Sequence, residues 1–176
     1  MKYLITGGCG FIGANFAEIL LKRGDEVILL DNLSRKGTVA NLTYLKETYP
    51  KVKFVHADIR TDFKKLLEIM EMVDVVYHLA GQVAVTTSVV NPREDFDINA
   101  EGTFNILEAI RRSKKRPLII YASTNKVYGG MEDIEIVKEG DRYIYKDLPE
   151  GIPESRTLDF HSPYGCSKGT ADQYVR

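Results

Sequence analysis

The chain has 176 residues, a length that suits one domain with a substantial buried core. Its 24 lysines and arginines balance 25 aspartates and glutamates, so the net charge of −1 gives no electrostatic reason to expect nucleic acid or an anionic membrane as a partner. No apolar run approaches the roughly 18 residues of a membrane span, and we expect no signal peptide. Cys9 and Cys166 lack metal-ligand spacing, which suits a reducing cytosol and predicts no metal site.

The first strong pattern is a glycine-rich turn, which follows a short apolar run at residues 3–5 and opens an amphipathic run. Its glycines, Gly7, Gly10 and Gly13, have the spacing Gly-x-x-Gly-x-x-Gly. A strand, such a turn and a helix N-terminus in that order are typical of a dinucleotide site, because free N–H groups and the positive end of the helix dipole attract a pyrophosphate. Asp31 closes the second apolar run and supplies the acidic residue that such a site requires.

The rest of the chain alternates strand-like and helix-like runs. The predicted strands span residues 2–6, 26–31, 52–57, 74–79 and 117–122, and the predicted helices span residues 11–23, 39–48, 62–70 and 92–112. This alternation predicts an α/β fold with a Rossmann-like, doubly wound parallel sheet of strand order 3-2-1-4-5. Ligands bind such sheets at the carboxyl ends of the strands. The candidate residues at those ends are Thr6, Asp31, Asp58, Ala80, Gly81, Ser123 and Thr124.

Apolar residues at helical spacing predict which side of each helix is buried. In the first helix these residues are Phe16, Ile19 and Leu20. In the long helix they are Phe96, Thr103, Phe104, Leu107 and Ile110. His78 ends an apolar strand, and we expect it to be a packed structural histidine.

The segment 129–161 is an insertion that breaks the alternation. Residues 134–145 show period-two side chains around Gly140, which predicts a small hairpin. Two interpretations stay open, a solvated surface excursion and a lid over a substrate, since long loops at this edge of a sheet tend to carry function.

A tyrosine and a lysine follow the insertion on one predicted helix. Ser162 suits the N-cap and Pro163 the first helical position, so that Tyr164 and Lys168 lie one turn apart on the same face. A free tyrosine hydroxyl is a poor base near neutrality, but a nearby ammonium favours the phenolate. The pair can therefore move a proton to or from a substrate hydroxyl.

Taken together, these motifs resemble the extended short-chain dehydrogenases/reductases, a family that includes the nucleotide-sugar epimerases and dehydratases. The stretches that carry the resemblance are Gly7-x-x-Gly10-x-x-Gly13, Asp31-Asn32-Leu33-Ser34, Asp58-Ile59-Arg60, His78-Leu79-Ala80-Gly81, Asn99, Val127-Tyr128-Gly129 and Tyr164-x-x-x-Lys168. The resemblance covers nearly the whole chain and implies NAD as the cofactor.

The resemblance also implies residue roles. Asp31 would bind the adenosine ribose hydroxyls, Asp58 and Ile59 would flank the adenine, and Ala80, Gly81 and Asn99 would line the cofactor channel. Further cofactor-binding candidates are Gly7, Gly10, Phe11, Ile12, Gly13, Asn32, Ser34, Leu79, Gln82 and Ser123. Tyr164 would be the catalytic base, Lys168 would hold the nicotinamide ribose and tune the tyrosine, and Thr124 would bond the reacting sugar oxygen.

One position separates the branches of this family. The 4,6-dehydratases carry Asp and Glu directly after the threonine that matches Thr124, whereas this chain has Asn125 and Lys126, which cannot replace a carboxylate acid–base pair. Residues 81–88, 123–129 and 159–169 instead resemble the branch that epimerises CDP-linked sugars at C2 through a transient ketone. A UDP-sugar 4-epimerase and a non-catalytic NAD-binding sensor on the same fold remain the alternatives.

Two expectations concern the whole protein. Family members continue into a C-terminal substrate domain that is absent here, so we expect this chain to bind NAD and to lack epimerase activity by itself. The resemblance also implies a homodimer, in which the helix at 92–112 and the catalytic helix pack in an intermolecular four-helix bundle, with Thr103, Phe104, Leu107 and Ile110 as the apolar stripe.

Overall fold

A parallel five-stranded sheet forms the centre of the molecule, with strand order β3-β2-β1-β4-β5. The computed structural model describes all of residues 1–176. The strands are β1 (Lys2–Thr6), β2 (Glu26–Asp31), β3 (Lys53–His56), β4 (Val75–His78) and β5 (Leu118–Tyr121). The helices are α1 (Phe11–Lys22), α2 (Thr38–Thr48), α3 (Phe63–Met70), α4 (Val85–Val90), α5 (Pro92–Phe96), α6 (Gly102–Arg112) and α7 (Pro163–Val175). The predicted fold class and strand order are confirmed.

Both faces of the sheet are covered because successive strand residues point to opposite sides. In β1, Tyr3 and Ile5 join the core cluster that includes the α1 and α2 residues Leu20 and Leu45. Leu4 joins the second cluster, with residues of α3 and α6. The sheet is therefore the middle layer of three, and its carboxyl edge is left for ligands.

The long helix predicted at 92–112 is in fact three segments. A π-helical turn, Asp97–Glu101, separates α5 from α6. A π turn adds a residue to the helical repeat, so one helical phase cannot describe both sides of it. Phe96 and Phe104, expected inside, are 50% and 47% exposed, while Thr103 is buried as expected. The buried residues of α6 are Gly102, Thr103, Ile106 and Ala109, and α4 is a helix that the sequence pattern did not predict.

The first helix also differs from its predicted face. Ile19 is 60% exposed, and the sheet side of α1 consists mainly of the small residues Gly13, Ala14 and Ala17. Small side chains let α1 approach the sheet closely behind the glycine turn. Leu20 is buried as predicted and Phe16 packs against the core, so the predicted face is wrong only for Ile19.

The insertion contains the predicted hairpin. Strands β6 (Ile136–Glu139) and β7 (Arg142–Tyr145) pair antiparallel as a separate two-stranded sheet, and Gly140 in the turn has a positive φ of 60°. The base of the insertion is fastened to the main domain, because the Asp159 N–H donates to the Val127 carbonyl at 2.9 Å. None of the helices has the length and apolarity that a membrane span requires.

His78 is buried between β1 and α6 and is fully hydrogen-bonded. Its Nδ1 lies 2.6 Å from the Thr6 hydroxyl and its Nε2 lies 2.9 Å from the Thr103 hydroxyl. Because the Thr103 hydroxyl donates to the Asn99 carbonyl, it accepts from Nε2–H, and Nδ1 then accepts from Thr6. Burial, with a smaller contribution from the Lys168 charge, lowers the pKa of His78 to about 3. The expectation of a structural histidine is confirmed.

This burial predicts a pH-dependent stability. The unfolded chain binds a proton at His78 near the ordinary pKa of about 6.5, whereas the native chain does not bind it until about pH 3, so the free energy of unfolding falls as the pH drops through this window. From about pH 7.5 to about pH 5.5 the loss should be about 1.4 kcal/mol, measured by urea unfolding. His78→Gln should remove this slope and His56→Gln should keep it; an unchanged slope in His78→Gln would contradict the assignment.

Candidate functional site

The glycine turn leaves the N-terminus of α1 open. Gly10 is the N-cap in an extended conformation with no side-chain cap, and no acidic residue stands in the first turn. Gly7 has a φ of +65°, and a Cβ there would lie 2.8 Å from the Ala80 nitrogen. A Cβ on Gly13 would collide with the Gly7 carbonyl oxygen. The turn therefore packs against the end of β4 only with these glycines, and the first-turn N–H groups face outward beside the exposed side chains of Phe11 and Ile12.

Asp31 is buried at the carboxyl end of β2. Its carboxylate accepts from the Cys9 N–H at 3.0 Å and from the Leu33 N–H at 2.8 Å, which leaves lone pairs on both oxygens. Burial, together with the Asp31 charge, raises the pKa of the Cys9 thiol to about 12. Cys9 is thus a neutral packing residue, and Asp31 is fixed in place by the turn that it borders.

Asp58 links the chain that follows β3 to the chain that follows β2. The carboxylate accepts from the Asn32 side chain at 2.9 Å and pairs with Arg60, whose guanidinium holds the pKa of Asp58 well below its usual range. Ser34 is exposed and donates its N–H to the Asn32 side chain. The Ile59 side chain is buried, and a Cβ on Gly102 would lie 2.5 Å from it. Of Ile59, only the backbone can border a ligand at this edge.

The channel residues after β4 are joined by hydrogen bonds. The Leu79 and Ala80 N–H groups donate to the carbonyl and hydroxyl of Thr6. The Gln82 N–H donates to the Asn99 side-chain oxygen at 2.9 Å, and a Cβ on Gly81 would lie 3.1 Å from that oxygen. Asn99 stands in the π-helical turn and is buried. The turn thus brings an amide to the backbone that follows β4.

The end of β5 presents Ser123 and Thr124. Ser123 is exposed, and Thr124 is the N-cap of a short 3₁₀ turn, Asn125–Tyr128. The Thr124 hydroxyl oxygen accepts from the Lys126 N–H at 3.3 Å. A hydroxyl that only accepts keeps its own proton free, so Thr124 can still donate to a substrate oxygen.

Tyr164 and Lys168 lie on α7 as predicted, and both are buried. Ser162 caps the helix by accepting from the Gly165 N–H at 3.0 Å. The Tyr164 hydroxyl has no hydrogen-bond partner within the chain, and its N–H donates to Ser88. Lys168 Nζ donates to the Ala122 carbonyl at 2.6 Å. The Lys168 contact places the lysine next to the carboxyl end of β5, and Tyr164 stands one helical turn before it, beside α4.

Burial lowers the pKa of Lys168 to about 8, while the charges of Asp172 and Asp95 act in the opposite direction. The ammonium also lies 4.1 Å from the centroid of the Tyr121 ring, which stabilises a cation. Lys168 is therefore a desolvated lysine whose charge depends on a few neighbouring groups.

Three residues that support this site were not predicted. Ser88 lies on α4, and Asp95 and Ser167 are buried between α5 and α7. A signal was present in the sequence, since Asp95, Asn99 and Thr103 recur at four-residue spacing. This polar stripe is the side that the structure buries, and the pattern of larger apolar residues concealed it.

A cleft of about 650 Å³ lies between the insertion and the 3₁₀ turn. It is lined by Tyr128, Gly130, Met131, Glu132, Asp133, Arg156, Thr157, Leu158, Asp159 and His161. Asp159 Oδ2 and His161 Nε2 are 2.6 Å apart, and both residues stand directly before α7. Most residues that line the cleft are polar or charged, and the cleft is close in sequence to both Thr124 and Tyr164.

The strand order, the glycine turn and the Tyr164–Lys168 pair define a Rossmann-type unit of the short-chain dehydrogenase/reductase class. The family model described as GDP-mannose 4,6 dehydratase matches residues 4–176, and the chain belongs to this family.

Known relatives narrow the class further. The chain is 52% identical to the CDP-paratose 2-epimerase of Salmonella typhi, over 99% of this chain and 52% of that protein. A dTDP-glucose 4,6-dehydratase from Streptomyces venezuelae, solved with NAD and TYD bound, superposes with a TM-score of 0.79 at 32% identity over 98% of this chain and 50% of that one. The UDP-glucose 4-epimerase of Thermus thermophilus, in complex with NAD, has a TM-score of 0.75 and 34% identity over 99% of this chain and 50% of that one. The chain spans about half the length of these relatives.

Proposed function

We propose that the whole protein is an NAD-dependent epimerase of nucleotide-linked sugars and that its substrate is a CDP-sugar oxidised at C2. The observation that carries this proposal is the pairing of Tyr164 and Lys168 at the carboxyl edge with a threonine that is followed by no carboxylate pair. The 52% identity to a CDP-paratose 2-epimerase supports the choice of sugar.

The residues at the carboxyl edge fit NAD. The uncapped N-terminus of α1 suits a pyrophosphate, and the buried Asp31 carboxylate, with free lone pairs, suits a pair of ribose hydroxyls. The channel beside Gly81 and Asn99 would hold the nicotinamide half, with Lys168 at its ribose. When bound, NAD supplies a hydride acceptor that later returns the hydride.

Tyr164 would take the proton of the sugar hydroxyl while the sugar is oxidised, and would return it when the ketone is reduced on its opposite face. Lys168 follows one turn later on the same side of α7 and supplies the positive charge of the pair. Thr124 would donate its free hydroxyl proton to the reacting oxygen and so orient it. The oxidised carbon ends at its starting oxidation state, and the reaction is an isomerisation.

The elimination of water that the 4,6-dehydratases perform is disfavoured here. Asn125 and Lys126 follow Thr124, and both are exposed in the 3₁₀ turn. An amide cannot serve as a general acid, and neither residue supplies the carboxylate that removes a proton from carbon. The family membership therefore gives the fold and cofactor chemistry, while the acid–base pair of the dehydratases is missing.

The insertion is proposed to border the sugar. The polar cleft beside Asp159 and His161 favours the lid interpretation over a solvated excursion, because carboxylate and imidazole groups suit sugar hydroxyls. The UDP-sugar alternative is supported by the 34% identity to a UDP-glucose 4-epimerase. Turnover assays of the whole protein with CDP- and UDP-sugars decide between cytosine and uracil as the nucleotide base of the substrate.

Cofactor selection follows from Asp31. A carboxylate binds ribose hydroxyls and repels the 2′-phosphate of NADP, so the protein should prefer NAD. Asp31→Asn should lower the affinity for NAD about tenfold and reduce the difference between the affinities for NAD and NADP, both measured by calorimetry. Glu26→Gln, at the opposite end of β2, is the control and should change neither. Equal affinity of the unmodified protein for the two cofactors would rule out the assignment.

The catalytic role of Tyr164 predicts a loss of turnover without a loss of cofactor. Tyr164→Phe removes the hydroxyl and keeps the ring, so epimerisation by the whole protein should fall by roughly two to four orders of magnitude while NAD stays bound. Tyr174→Phe, on the same helix, should turn over normally. Retained activity in Tyr164→Phe would show that another group moves the proton.

We also propose that the protein forms a homodimer through α6 and α7. The predicted stripe is wrong in one residue, since Thr103 is buried against His78 and cannot reach a partner. Phe104 of the predicted stripe is exposed, and so are Phe96 and Tyr174. The Phe104 and Tyr174 rings meet edge-on, with 5.6 Å between their centroids.

Phe104→Lys should therefore give a monomer in sedimentation equilibrium at tens of micromolar, because a charge in an apolar helix interface is costly to bury. Val89→Lys, an exposed site on α4, is the matched control and should leave the dimer intact. A monomeric unmodified protein would contradict the proposed assembly.

A further inference from the structure

A buried carboxylate, Asp95, lies behind the candidate catalytic residues and was given no role in the proposed reaction. It is 1% exposed. Its two donors are neutral: the Asn99 amide reaches Oδ1 at 3.2 Å, and the Ser167 hydroxyl reaches Oδ2 at 2.5 Å. A carboxylate buried with only neutral hydrogen-bond donors is costly, and its presence requires an explanation.

The contacts of Asp95 connect the channel to the catalytic helix. Asn99 donates its second amide hydrogen to the Ser167 hydroxyl oxygen at 3.1 Å and accepts from the Gln82 N–H. Ser167 immediately precedes Lys168, and its oxygen also lies 3.2 Å from the Tyr164 carbonyl. The Ser167 proton thus has two acceptors, and an ionised Asp95 draws it away from the carbonyl of Tyr164.

The same carboxylate acts on Lys168 through its charge. The groups that act on Lys168 are Asp95 on α5, Asp172 on α7, His78 on β4 and Tyr121 on β5. His78 is neutral and burial raises the pKa of Tyr121, so the two aspartates are the anions that keep the buried lysine charged. Burial raises the pKa of Asp95 itself, while the Ser167 hydroxyl and the Lys168 charge oppose this.

We propose that Asp95 is a positioning residue, whose ionised carboxylate fixes Ser167 and Asn99 and thereby sets the placement and the charge of Lys168 beside Tyr164. The inference deepens the proposed function and rests on it for its kinetic consequences. The effect of the Asp95 charge on Lys168 does not depend on the proposed function and can be measured on this chain alone.

The direct test is the titration of Lys168 in protein with ¹³C-labelled lysine, with the Lys168 resonance identified by its loss in Lys168→Met. Asp95→Asn keeps the shape and removes the charge, so Lys168 should lose its proton ~0.5–1 pH unit lower than in the unmodified protein. Asp97→Asn removes an equal charge from the partly exposed Asp97, which pairs with Arg93, and should leave Lys168 unchanged. An unmoved Lys168 in Asp95→Asn, or an equal shift in Asp97→Asn, overturns the proposal.

Ser167→Ala covers the case in which Asp95→Asn does not fold. It keeps the carboxylate and removes its shortest hydrogen bond, so Asp95 should bind a proton at higher pH in a ¹³Cγ titration, and Lys168 should follow. Titration of Asp95 without a response of Lys168 would overturn the coupling.

Kinetics of the whole protein separate this inference from the proposed function. Asp95→Asn should lower kcat about tenfold at neutral pH, leave KM for the sugar nucleotide unchanged and move the alkaline limb of the pH profile downward. If the unmodified protein turns over no nucleotide sugar, the proposed function fails while the titration result stands. If it turns over normally and Lys168 does not respond to Asp95→Asn, only the present inference fails.

Discussion

The structure depends on the requirement that buried polar groups be paired. One line of hydrogen bonds begins at Thr6 on the central strand, passes through the neutral imidazole of His78 to Thr103, and continues to the carbonyl of Asn99. The Asn99 side chain then reaches α7. Each group in such a network has one acceptable arrangement once its neighbours are fixed. The glycine turn, the channel and the catalytic helix are therefore held in register by one polar network inside an apolar fold.

The network explains why the site combines rigidity with an unusual charge. A lysine that is nearly excluded from water must find its partners within the protein, and here they are a carbonyl, an aromatic ring and two carboxylates. Each of these partners is carried by the rigid part of the molecule. The insertion at residues 129–161, with its cleft, is attached at its base and contributes no group to this arrangement. The cleft of the insertion and the tyrosine–lysine pair are thus built from different segments of the chain.

Much of the fold followed from the sequence because its signals are local. The apolar strands alternate with amphipathic runs, and a glycine turn with Asp31 locates the first βαβ unit; the strand order then follows from the handedness of crossovers. The position of Tyr164 and Lys168 followed from a capped helix of ordinary period.

The parts that could not be predicted are set by tertiary contacts. We found no local signature of the π-helical turn in residues 97–101. The turn rotates α6 relative to α5, so that the buried face of α6 differs from the one predicted for a continuous helix. The burial of Asp95 was not predicted, because its partner Ser167 is distant in sequence and meets it only when α7 packs against α5. The burial of the Ile59 side chain has a similar cause, since Gly102 opens the space that this side chain fills.

The π-helical turn also determines where the chain tolerates a change in length. Each residue added to or removed from a helix rotates everything beyond it by about 100°, so an insertion between residues 97 and 99 would turn Thr103 away from His78 and Asn99 away from α7 together. The hairpin at 136–145 has no such coupling, because its strands pair only with each other. Among homologous chains, length variation should therefore gather in the insertion and avoid the turn, whose residues Asn99 and Ala100 are buried.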